Sequence, residues 1–264
     1  MATKKNSIIY RLLIGLFQAK LKEASDAQEH ILEMLFSANE ESIELAVVLL
    51  EALALDLSPQ LNLFESNLLN SNDRFSVHRN ANKATYFKKL SSVFQQSESW
   101  MLWDIKKLSP LIKYRKKLCY LTISMDEKIS WYRTVRKKEE GYLSHLPEEI
   151  GELSELLQLQ ISRMPLEELP NSIVQLSKLE RLIITHTKLS TLPDGINRLS
   201  NLKVLILADN QFQSLPAELG LLKNLRVFEI QGSPLERELI PEILFDEKQS
   251  SRVVAKTLQK FFSV

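Results

Sequence analysis

Few residues of this 264-residue chain are of the types that carry catalysis. Cys119 is the one thiol, and the histidines are His30, His78, His145 and His186. A nucleophile needs a base within reach, and a metal needs several ligands at recurring short spacings. His30, His78 and His145 show no such spacing with one another or with Cys119. Set in Leu118-Cys119-Tyr120-Leu121, the thiol reads as a small buried apolar residue. No glycine-rich phosphate loop, G-x-S-x-G elbow or H-E-x-x-H occurs, and there are only six glycines. The expectation is no enzyme, with no catalytic residue, metal or cofactor.

Binding chemistry is better represented. Residues 106–138 hold 11 Lys or Arg, interleaved with Tyr114, Tyr120, Trp131 and Tyr132. Such a stretch could neutralise phosphates and stack on bases. The reading we favour makes Lys113, Arg115, Lys116 and Lys117 a solvated helix face. It pairs Arg133–Lys138 with Glu139, Glu140, Glu148 and Glu149, and argues against a nucleic-acid partner.

The strongest pattern is a dipeptide, Leu146-Pro147, Leu169-Pro170, Leu192-Pro193 and Leu215-Pro216, recurring at an interval of 23 residues. Each copy ends in an alternating apolar step: Leu159 and Ile161, Leu182 and Ile184, Leu205 and Leu207, Phe228 and Ile230. Alternation is the mark of a strand with one buried face. The preceding half, such as Leu192-x-x-x-Ile196-x-x-Leu199-x-x-Leu202, steps mainly by threes, which suits a 3₁₀ turn. A period of this length implies stacked units that bury their apolar sides on one another.

Leu202-x-x-Leu205-x-Leu207-x-x-Asn210-x-Phe212 resembles the leucine-rich repeat signature, and the resemblance covers about residues 143–236. It implies an α/β fold: a short solenoid with a parallel sheet on its concave face. The asparagine that caps the inner ladder in this family stands only at 210. Met164, Thr187 and Ser233 take the equivalent places, so the first full repeat is expected to be irregular or a cap. Some bacterial members are ubiquitin ligases with a catalytic cysteine, but Cys119 precedes the repeats and lacks an acidic residue two positions on. Leu118-x-x-Leu121-x-Ile123 fits the strand half of the motif 38 residues before Leu156, as a degenerate first strand or a stray strand of a cap.

Variable positions beside each apolar step should stack in columns. One runs Gln158, Arg181, Val204, Val227, and the next Gln160, Ile183, Ile206, Glu229. Ser162, Thr185, Ala208, Gln231 follow, and then Arg163, His186, Asp209, Gly232. Ile183, Val204, Ile206 and Val227 would form an apolar patch, and such patches mark partner sites. His186 and Asp209 could form a hydrogen-bonded pair. The expected contact set on the concave face is Gln160, Arg163, Arg181, Ile183, Thr185, His186, Val204, Ile206, Asp209, Val227, Glu229 and Gln231. Another protein is the favoured occupant. The chain's own helices and a second copy, making a homodimer, compete for the same face.

Upstream, the sequence predicts an α-helical domain over 1–117, with helices near 7–22, 26–36, 43–57, 82–95 and 99–117, the last kinked at Pro110. Residues 118–145 read as a degenerate repeat or linking cap, 146–236 as four 23-residue units and 237–264 as a helical C-terminal cap. Charge is net +6 over residues 1–138 and −5 over 139–264. The lone cysteine points to a reducing compartment, and Arg11 splits the N-terminal apolar run too early for a secretory signal. A cytoplasmic location without membrane contact follows. The whole reads as a scaffold or adaptor. A nucleic-acid-associated adaptor using 106–138, or an enzyme with an unrecognised site in the helical half, are the alternatives.

Overall fold

A computed structural model describes residues 24–36, 40–52, 98–125 and 142–235. The chain divides into two compact units, Met1–Asn62 with Phe75–Gln96, and Leu63–Arg74 with Ser97–Val264. In the first, helices α1 (Ala24–Leu35) and α2 (Glu40–Ala52) pack together. Ile31, Leu32 and Leu35 with Phe36 are buried on one side, and Ile43, Ala46, Val47 and Leu49 on the other. These spacings of three and four residues place each set on one helical stripe. The helices expected at 7–22 and 82–95, and the cap at 237–264, lie outside the described residues.

The second unit carries six parallel strands in sequential order: β1 (Ser99–Trp103), β2 (Tyr120–Ser124), β3 (Gln158–Ser162), β4 (Arg181–Thr185), β5 (Val204–Ile206) and β6 (Val227–Glu229). Their register aligns Trp100, Leu121, Leu159, Leu182, Leu205 and Phe228 in a single row. All six are buried. Five 3₁₀ helices return the chain behind the sheet, at Pro110–Tyr114, Glu148–Glu152, Asn171–Gln175, Ile196–Arg198 and Ala217–Leu221. Each buries at least one aliphatic side chain, the most enclosed being Ile112, Ile150, Ile173, Ile196 and Leu219. A parallel strand needs such a crossover, and a tight 3₁₀ turn makes it in few residues.

Two expectations for the upstream region are overturned. Residues 99–117 are not a helix: they hold β1 and the first 3₁₀ helix, so the sheet begins ahead of residue 118. Pro110 starts that turn instead of kinking a helix, and Ser109 Oγ accepts the Leu111 N–H at 3.3 Å. The segment 118–126 contains a true strand of the sheet, though the second and not the first. Nor is the first full repeat irregular or terminal. Met164 is buried, and β3 pairs in full register on both sides.

Against later coils, Arg115 occupies the place of the spine leucine at 153. It is buried, with its guanidinium carbon 4.5 Å from the centre of the Trp100 ring. The aromatic face supplies attraction to a cation where an aliphatic neighbour would supply none.

Candidate functional site

The residue directly after β1, β3 and β4 takes a left-handed conformation, at Asp104, Arg163 and His186, and so do Asp209 and Gly232, three residues past the ends of β5 and β6; φ is 53–57° at the first four and 77° at Gly232. The turn lets four of these N–H groups donate across to the next coil: Asp104 to the Ser124 carbonyl, Arg163 to Thr185, His186 to Ala208 and Asp209 to Gln231. Behind the turn, buried Asn210 completes the ladder. Its Oδ1 accepts the Thr187 N–H at 3.1 Å and the Thr187 hydroxyl, while its Nδ2 donates to the Ile184 carbonyl at 2.7 Å. Thr187 Oγ in turn accepts the Leu189 N–H at 3.2 Å, so threonine does share the capping work.

The strand register sets the columns of the outer sheet face. Gln158, Arg181, Val204 and Val227 are successive partners, as are Gln160, Ile183, Ile206 and Glu229. Ile183, Val204, Ile206 and Val227 therefore adjoin one another, each half-buried. Thr185 Oγ donates to Ser162 Oγ at 3.1 Å. Ala208 and Gln231 follow beyond the strand ends, half-buried and exposed respectively. His186 Nε2 lies 3.2 Å from Asp209 Oδ2 on the rim, forming the expected pair.

The mistaken helix hid the upstream end of the same face. Ser99 and Tyr120 extend the first column, Met101 and Thr122 the second, and Trp103 and Ser124 the third. Met101 is 39% exposed and Tyr120 42%, high values for large apolar side chains. The alternation Trp100, Leu102 against Ser99, Met101, Trp103 was the signal available in the sequence.

Elsewhere the surface repeats at the interval of one coil. Glu155 pairs with Lys178 at 2.7 Å, Glu180 with Lys203 at 2.5 Å, and His145 Nε2 lies 3.6 Å from Glu168. Ser144 Oγ lies 2.8 Å from His145 Nδ1. The three pairs 23 residues apart are exposed or half-exposed rungs between neighbouring coils, of a kind worth roughly 0–1 kcal/mol each. The lysine face expected from a helix is not one. Arg115 is buried, Lys113 lies over the Tyr114 ring at 5.3 Å, and Lys116 pairs with Glu152 at 3.5 Å. Residues 133–140 lie outside the described residues.

Cys119 is half-buried instead of fully enclosed, with its thiol 3.4 Å from the Lys117 carbonyl. Burial pushes its pKa up, and the Glu98 and Glu155 carboxylates add to that, partly opposed by Lys178. A raised thiol is a weaker source of thiolate, contrary to what a nucleophile requires. Among the described residues no group of three metal-ligating side chains exists, and no helix is long and apolar enough to cross a membrane.

Residues 132–252 match the model of the family described as a leucine-rich repeat region. The fold generally mediates protein–protein interaction. No curated protein matches the chain at a significant level. Among solved structures, the leucine-rich repeat domain of the type III effector XopL is 22% identical, with a TM-score of 0.45, covering 70% of this chain and 62% of its own. A leucine-rich repeat protein of Leptospira interrogans is 30% identical with a TM-score of 0.38, covering 49% of this chain and 35% of its own. The BIR3–SERK2 complex from Arabidopsis thaliana is 23% identical with a TM-score of 0.34, over 51% of this chain and 62% of that one. The chain thus spans less than two thirds of each.

Proposed function

We propose that this chain is a binding module, a scaffold or adaptor without catalytic activity, that captures a partner protein on the outer face of its sheet. The observation that carries the reading is the contiguous block of Ile183, Val204, Ile206 and Val227 on that face. Half-exposed aliphatic side chains in one patch gain roughly 25 cal/mol for each Å² that a partner removes from water. Met101, Trp103 and Tyr120 offer further apolar surface toward β1. The contact set also includes Gln160, Arg163, Thr185, His186, Asp209, Glu229 and Gln231. A cytoplasmic location is part of the proposal, since a single cysteine suits a reducing compartment.

The test is an affinity pull-down from native cytosol, read by mass spectrometry, with the Ile206→Arg variant beside the wild type. The variant should stay folded and soluble while losing a defined set of captured proteins. If it unfolds or aggregates, the face is covered within the chain itself, and partner capture there is wrong. If wild-type protein elutes at twice its mass and Ile206→Arg at once, a second copy is the occupant.

A further inference from the structure

Charge is scarce on the outer sheet face. Along its two strand columns from Ser99 to Val227 and from Met101 to Glu229, the charged residues are Arg181 and Glu229. Arg181 is exposed and makes no ion pair among the described residues. Its neighbours in the register are Gln158 on β3 and Val204 on β5, and Ile183 stands two residues along on the same face. None of these can neutralise a guanidinium. The residue sits at the corner of the aliphatic block, with amide side chains on its other flank.

A guanidinium presents a rigid fork of N–H donors that a carboxylate fills with two parallel hydrogen bonds. The Gln158 carboxamide adds N–H donors on one side. On the other, a docked aliphatic segment would exclude water and strengthen the pair beyond that of an open surface bridge. We propose that the partner segment held on this face carries a carboxylate beside aliphatic side chains, the acid on Arg181 and the aliphatics on Ile183, Val204 and Ile206. Arg181 and Ile206 are one strand and two residues apart, roughly 8 Å from the strand spacings. Acid and aliphatic anchor are therefore two to four residues apart in the ligand, a short linear element. This rests on the outer face being the binding surface.

The experiment is to pan a library of short random peptides, displayed on phage, against the full chain and against Arg181→Glu, with circular dichroism confirming that both are folded. Wild type should enrich peptides with Asp or Glu within four residues of Leu, Ile or Val. Arg181→Glu should bind those peptides about ten-fold more weakly or worse, the loss of one charge-assisted pair, and should enrich Lys or Arg at the same place. Equal binding to both forms, or enrichment without an acid, overturns the carboxylate proposal. If peptides of that kind are still lost on Ile206→Arg, the face itself stands as the binding surface. An empty selection on the folded wild type overturns the proposal as well.

Discussion

At the scale of single residues, Asn210 does more than its neighbours. It is buried, and one side chain accepts from a backbone amide and a hydroxyl while donating to a carbonyl of another coil. Asn210→Ala leaves the Thr187 amide and the Ile184 carbonyl short of a partner, so a cost of about 2–4 kcal/mol is expected, near that of two unmet buried groups. Urea unfolding measures it. The four left-handed non-glycine residues are held against a local preference worth roughly 1–2 kcal/mol each. Each of them donates its N–H across to the following coil, which offsets part of that cost. At the fifth place glycine is favoured. A Cβ on Gly232 would collide with the Asp209 carboxylate, and the φ of 77° disfavours other residues.

At the scale of elements, the coils are joined by side chains as well as by strands. Glu148, at the first turn of its 3₁₀ helix, accepts the N–H of Ser172 at the start of the next, at 3.0 Å. The Ser172 hydroxyl beside it and that N–H hold the Glu148 carboxyl below the ordinary value of 4.5. A folded pKa below the unfolded one means stability that is present above the unfolded value and lost as pH falls through the folded one. Wild-type stability should therefore decline below about pH 4.5 more steeply than that of Glu148→Gln, as followed by thermal melts across pH. The elements of coils three to six were legible because Leu-Pro recurs with an intact apolar frame. The first coil was not. There the dipeptide becomes Leu108-Ser109, the proline moves to 110, and Arg115 stands where a spine leucine is due, so its spacing imitates a helix. The outer columns downstream of 157 followed directly from the period. The stretch holding Met101, Trp103 and Tyr120 needed the sheet to be seen.

At the scale of the molecule, the repeat unit behaves as a row of layers in which each touches mainly the next. A defect in the middle of the spine therefore weakens both flanks. Leu205 is fully buried between Leu182 and Phe228. Leu205→Ala is expected to cost about 2–5 kcal/mol, read as a lower urea midpoint at unchanged slope, with hydrogen exchange rising in β4 and β6 together. One further property comes from β2 and β3. Leu121 and Leu159 are direct neighbours although 38 residues separate them, whereas 23 separate Leu159 from Leu182. The extra closure entropy of the longer path is only about 0.4 kcal/mol. Alignment of the layers is thus nearly independent of how many residues join them, so an epitope that lengthens the connection from β2 to β3 should leave Leu121 beside Leu159.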